Sequence, residues 1–223
     1  RLPRPISAME GGVDDEAERQ GVVGIERHEG ASPEGKDDVQ SCLRGFWDRR
    51  YDEASAPEEW YCGTAALESM LHWAVGGSEG KGVTLLHIGC GTSKLRLAAA
   101  HTVAVDLSLP ALHSRHPGPE ELMAADVSAL PFRDASFDVV FDKGTIDWLV
   151  LSLLIAEDRD ERLASLREEL LRLLRPGGRL VVITGLGGTS EDPAEFLSGT
   201  SAGWAGFQVR TVEGMEQNYR CYS

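Results

Sequence analysis

A chain of 223 residues, 42% hydrophobic and 26% charged, is long enough for one sizeable α/β domain with its own core. A formal net charge of −14 argues against a surface that grips nucleic-acid phosphates, because that affinity needs a basic face. The longest apolar run, 148–156, falls short of the ~18 residues a membrane helix requires, so no membrane insertion is expected.

Residues 1–40 are rich in Glu, Asp, Gly and Ser and poor in large apolar side chains. They read as a flexible acidic arm that cannot bury enough to order itself, with docking on a partner as the alternative. Residues 41–223 read as the folded domain. The chain opens at Arg1, and "RLPRPISAM" lacks the apolar core of a signal peptide. The four cysteines, Cys42, Cys62, Cys90 and Cys221, show no CxxC spacing and no zinc-ligand histidines. They are expected as thiols in the cytoplasm, without a metal. A processed presequence remnant would instead imply an organelle.

A helix is expected from about Gly63, with Leu67, Met70, Leu71 and Ala74 on one face. From residue 83 strands and helices alternate. Strands are expected at 83–88, 102–105, 122–125, 136–142 and over "RLVVIT". Helices are expected at roughly 93–100, 110–113 and 145–156. A fourth follows, with Leu163, Leu166, Leu170, Leu173 and Leu174 as its apolar stripe. Pro176-Gly177-Gly178 stops it. The tail reads as a closing antiparallel hairpin. This alternation implies an α/β, Rossmann-like, mostly parallel sheet with helices on both faces. Ligands of such sheets lie beyond the strands' carboxyl ends, where strand order reverses.

The first strand ends in Gly89-Cys90-Gly91, a turn that lets a ligand approach the backbone closely. A dinucleotide fingerprint wants a third glycine, and Lys94 stands there. Asp106 ends the second strand, where an acid can accept from both hydroxyls of a ribose; capping the helix that follows is its structural alternative. Asp126 ends the third, where a carboxylate can accept from an adenine amino group. Glycine turn, two strand-end acids and "SFDVVFDKGTID" together favour S-adenosyl-L-methionine over a nicotinamide dinucleotide.

Residues 43–223 resemble class I S-adenosylmethionine-dependent methyltransferases. Within them they are similar to the branch holding lysine methyltransferases of elongation factor 1-alpha and of citrate synthase. The resemblance is carried by "FWDRRY" with "EWY", "HIGCGTSKL", "VAVDLS", "ADVSALPFRDASFDVVFDKGTID", "LRPGGRLVVIT" and the terminal "GW…NYRCY". It implies that Gly89, Cys90 and Gly91 line the methionine and ribose part of the cofactor. Asp106, with Leu107 beside it, would hold the ribose hydroxyls, and Asp126 with Val127 the adenine. Asp142 and Lys143 would lie beside the sulfonium. Trp47, Arg50 and Tyr51 would cover the cofactor. Trp60, Tyr61 and Trp148 would wall the substrate slot, and the aromatics have core packing as their alternative. Asp142, Lys143 and Thr145 are the catalytic candidates. Thr145 and Lys143 carry structural alternatives, helix capping and ion pairing, and Asp147 reads as a first-turn acid favouring the helix dipole.

Departures from the family pattern are a short 89–106 segment, a compact 106–126 segment and no long insertion after the fifth strand. Three functions follow: a methyltransferase acting on a protein lysine, an inactive methyltransferase-like accessory subunit, and a small-molecule methyltransferase.

Overall fold

The structure, a computed structural model, describes residues 36–52, 59–63, 67, 72, 74–75, 82–93, 95, 99, 101–115, 118–154, 156–186, 190, 192–193, 197, 209–211 and 220–222. Residues 40–223 form one unit. Helix α1 (Lys36–Asp52) starts inside the span read as an arm; residues 1–35 lie outside the described residues. After it come β1 (Thr84–Ile88), β2 (His101–Asp106), α2 (Leu109–Ser114), β3 (Glu121–Ala124), β4 (Phe137–Lys143), α3 (Thr145–Ser152), α4 (Arg159–Leu173), β5 (Leu174–Thr184), β6 (Val209–Thr211) and β7 (Arg220–Tyr222). Leu67, His72 and Ala74 are helical, in the span where the sequence places a helix.

The sheet order is β3-β2-β1-β4-β5-β7-β6. β1 to β5 pair in parallel. β7 runs antiparallel to both β5 and β6, and residues 212–219 between β6 and β7 lie outside the described residues. Successive strand residues feed two cores, because side chains alternate across the pleat. Leu86, Ile88, Val140 and Val182 face one core, where the stripe Leu163, Leu166, Leu170 and Leu173 of α4 and Ile146 and Val150 of α3 pack on them. Leu85, Val139, Phe141, Val181 and Ile183 face the other, with Leu67 and Ala74. No described helix is long and apolar enough to cross a membrane.

Two expectations need correction. Ser93, Leu95 and Ala99, the described residues of the expected 93–100 helix, are not helical. The Leu95 amide donates to the Ser93 hydroxyl at 3.2 Å, and the Leu95 carbonyl accepts from Arg115 at 3.4 Å, so side chains take the groups a helix would pair. Pro176-Gly177-Gly178 do follow the end of α4, yet they fall inside β5. They form an irregularity where the register jumps from Phe137 opposite Leu174 to Val139 opposite Arg179. The strand order reverses between β1 and β4. The glycine turn and the start of α3 therefore meet at the switch point.

Candidate functional site

Gly89 and Gly91 both have left-handed backbones, φ 56° and 49°. A Cβ on Gly89 would lie 1.7 Å from the Thr145 hydroxyl, so only glycine fits between β1 and α3. The Thr145 hydroxyl donates toward the Ile88 and Gly89 carbonyls at 3.3 and 3.5 Å, which sets the first turn of α3 against the glycine turn.

Asp106 fixes the other side. Its Oδ2 accepts from the Gly91 amide at 2.7 Å and its Oδ1 from the Ser108 amide at 2.8 Å. Ser108, not Asp106, supplies the N-cap of α2, accepting from the Ala111 amide. Burial pushes the Asp106 carboxyl up, and the amides oppose the shift. Leu107 joins Asp106 to that cap. Cys90 is buried, and burial pushes its thiol up to about 12, so it belongs to the wall and not to the chemistry. A buried pair missed in the sequence braces the turn: Arg115, bonded to Glu120 at 3.1 Å, donates to the Cys90 carbonyl at 3.1 Å.

Asp126 follows β3. Its Oδ1 accepts from the amide and hydroxyl of Ser128 at 2.8 and 2.9 Å. Its Oδ2 is buried and has no hydrogen-bond partner among the described residues. Val127, next in the chain, is buried in the core on that side.

Helix α1 brings the aromatics together. Trp47 meets Trp148, Tyr51 and Trp60 at ring-centroid distances of 4.9, 5.9 and 6.0 Å. Phe46, absent from the sequence candidates, adds contacts to Trp47 and Trp148. The Arg50 guanidinium lies 5.2 Å over the Trp60 ring. Tyr51 reaches Gly91, and burial with the nearby Asp106 charge holds its phenol above the usual range. Trp148 thus packs under α1, while Tyr61 lies apart, against Gly144 and Asp147.

At the end of β4, Asp142 is fully buried and accepts from the Thr145 and Ile146 amides at 3.1 and 3.4 Å. It is therefore Asp142, not Thr145, that satisfies the open amides of α3, whose N-cap Gly144 has no side chain to offer. The Lys143 ammonium donates to Glu59, to the Trp60 carbonyl at 3.0 Å and to the Cys62 carbonyl at 3.2 Å. Asp147 does more than meet the helix dipole: its Oδ2 accepts from the Tyr61 hydroxyl at 2.7 Å and the Gly185 amide at 2.8 Å. Sequence reasoning missed Glu59 as the partner of Lys143. A buried lysine asks for an acid, but several acids precede it and none is marked.

A Rossmann-like sheet with this turn and these strand-end acids is a class I methyltransferase fold, and residues 86–182 match the family described as "Methyltransferase domain". Over that span the chain is similar to the class I S-adenosylmethionine-dependent methyltransferases, whose cofactor is S-adenosyl-L-methionine. It is 30% identical to EEF1A lysine methyltransferase 4 of Mus musculus over 158 residues, 64% of this chain and 60% of that protein. It is also 32% identical to malonyl-[acyl-carrier protein] O-methyltransferase of Pseudescherichia vulneris over 112 residues, 48% of this chain and 40% of that one. The chain thus spans less than two thirds of these relatives' own length. Among solved structures, magnesium protoporphyrin IX methyltransferase of Synechocystis PCC 6803 shares the fold, with TM-score 0.55 and 13% identity over 86% of this chain and 98% of that one. The [4+2]-cyclase SpnF shares it too, with TM-score 0.51 and 20% identity over 77% and 74%.

Proposed function

We propose that this chain is an active methyltransferase that modifies a lysine of a protein, using S-adenosyl-L-methionine. One observation carries the cofactor reading: the buried Asp126 Oδ2, without a donor among the described residues. A buried acceptor left unpaired is costly, and an adenine amino group is the donor it lacks. Asp106 lies at the end of the next strand, where a ribose would follow the adenine, and Gly89 and Gly91 leave room for the remainder. Tyr51, Trp47 and Trp60 would close over it and exclude water.

When bound, the cofactor supplies a methyl on a sulfonium; its carbon–sulfur bond breaks, the pair staying on sulfur, as an acceptor lone pair forms the new bond. The chain's own task is positioning and desolvation. Asp142 shapes the start of α3, Thr145 sets that helix against the glycine turn, and Lys143 holds the 59–62 segment in place. A lysine acceptor must shed its proton, which a desolvated slot favours. The lysine reading is supported by the mouse relative and by a bovine EEF1A lysine methyltransferase 4, 29% identical over 62% of this chain and 59% of that protein. The acidic chain also suits a basic protein acceptor.

The test is calorimetric titration with S-adenosylmethionine and S-adenosylhomocysteine, repeated on Asp106→Ala, followed by labelled-methyl transfer to purified elongation factor 1-alpha. Micromolar binding lost in the variant, with label on a lysine, is the expected result. No heat from a folded sample overturns the enzyme reading and favours an accessory subunit. Binding with label only on a small metabolite overturns the protein acceptor.

A further inference from the structure

We propose that Asp147 and Tyr61 form the seat of the acceptor's ammonium group, at the carboxyl ends of β4 and β5. The inference rests on the methyltransferase reading and names the acceptor's position within it.

Asp147 is 1% exposed. One of its oxygens is fully used: Oδ2 accepts from the Tyr61 hydroxyl and the Gly185 amide. The other, Oδ1, is buried and has no hydrogen-bond partner of ordinary geometry among the described residues, the buried Thr184 hydroxyl also favouring the carboxylate. A helix-dipole role explains neither the burial nor the fixed aim of this carboxylate. A cation carrying N–H donors explains both, since it would satisfy Oδ1 and balance the charge.

The surroundings are built to hold that aim. Tyr61 has a left-handed backbone, φ 61°, rare for an aromatic residue. Its two neighbours are pinned, because Lys143 takes the carbonyls of both Trp60 and Cys62. Gly144 makes the space: a Cβ there would lie 2.8 Å from Tyr61 Cε2. Lys143 and Gly144, consecutive at the end of β4, thus impose an uncommon conformation on Tyr61, which points its hydroxyl at Asp147. Strain of this kind persists only where the fold over-determines it.

Location and charge agree. Thr145, two residues before Asp147, touches the Ile88 and Gly89 carbonyls, so one turn of α3 separates this seat from the glycine turn. Asp142 and Asp192 are buried as well: burial, then the Asp147 charge, raises Asp142, and burial raises Asp147, with only a small push from Asp192. Lys143, at the end of β4, is engaged with Glu59. A primary ammonium fits the buried Asp147 carboxylate; a phosphate or carboxylate does not.

The experiment uses the full chain saturated with S-adenosylhomocysteine, and n-butylammonium chloride as the probe. Its affinity is read from the saturable rise in melting temperature, against sodium chloride and n-butanol controls. The expected result is a butylammonium response that neither control gives, weakened about tenfold or more in Asp147→Asn while S-adenosylhomocysteine affinity is kept. Equal affinity in wild type and variant overturns the seat, as does an equal response to sodium chloride. Should Asp147→Asn fail to fold, Tyr61→Phe decides: with the hydroxyl gone the carboxylate loses its aim and affinity falls, whereas unchanged affinity overturns the proposal. Failure of the wild type to bind S-adenosylhomocysteine overturns the methyltransferase reading itself, and the two failures are thereby told apart.

Discussion

The Tyr51 hydroxyl occupies the space a side chain on Gly91 would need: a Cβ there would lie 2.6 Å from it. The glycine turn and the α1 aromatics, proposed as floor and cover of the cofactor site, are therefore in direct contact. Gly91→Ala would push Tyr51 away and strain a backbone at φ 49°. The expected cost is about 1 kcal/mol or more in stability. S-adenosylhomocysteine affinity should fall further than that strain alone accounts for, because the cover is displaced. Calorimetry beside urea unfolding checks both, and unchanged affinity would mean that Tyr51 does not close on the cofactor.

Asp126 allows a sharper test of the adenine assignment. S-inosylhomocysteine carries an oxygen in place of the adenine amino group. Wild type should prefer S-adenosylhomocysteine by about tenfold or more, since the analogue turns an acceptor oxygen to Oδ2 where the amino group donates. Asp126→Ala should lose most of that preference while its own folding stability holds or rises. A variant that discriminates as well as wild type would sink the assignment.

Lys143 and Glu59 form an ion pair whose side chains are 4% and 21% exposed. Lys143→Met removes the ion-pair partner of Glu59, which keeps its Ser93 hydrogen bond, and the donor to two carbonyls, so it should cost about 3 kcal/mol in urea unfolding. Adding Glu59→Gln to the same chain should recover part of it. Lys143→Arg should not restore the wild type, because a planar fork cannot meet two carbonyls and a carboxylate as an ammonium does. A loss below about 1 kcal/mol would mark the pair as no stronger than a surface contact.

Burial, then the Asp147 charge, pushes the Asp142 carboxyl up to about 8. In the unfolded chain an aspartate titrates near ~3.9. Between these two values the folded protein holds a proton that the unfolded chain has released, so this group's contribution falls as pH rises. It is fully present below the unfolded value and lost as pH passes through about 8. Asp142→Asn should therefore flatten the decline of stability between about pH 5 and pH 9. Parallel curves for the two proteins, from urea unfolding at each pH, would place the ionised carboxylate in the native site throughout.

Much of the sheet was legible because parallel central strands are continuous apolar runs, and "TLLHI" and "FDVVFDK" read as such. The leucine stripe of α4 was equally plain. The 93–100 segment misled because its leucines and alanines favour a helix, while Ser93 and Arg115, the latter outside the segment, claim its backbone. Gly89, Gly91, Asp106 and Asp126 could be placed at or just beyond strand ends from the sequence, and there they lie. Asp147 stands in the first turn of α3 as read, but its further contact was hidden, because its Tyr61 partner lies 86 residues away. Pairing across such distances leaves no periodicity in the sequence.

One consequence concerns the order in which the molecule is made. The 59–62 segment leaves the ribosome long before Lys143, 84 residues beyond Glu59, is synthesised. Until β4 has been added between β1 and β5, the Lys143 bonds to the Trp60 and Cys62 carbonyls cannot form. The part of the chain translated early is thus seated late, after the distant contacts of the parallel sheet have closed. A nascent chain halted before residue 143 would carry its aromatic cover without a place to set it.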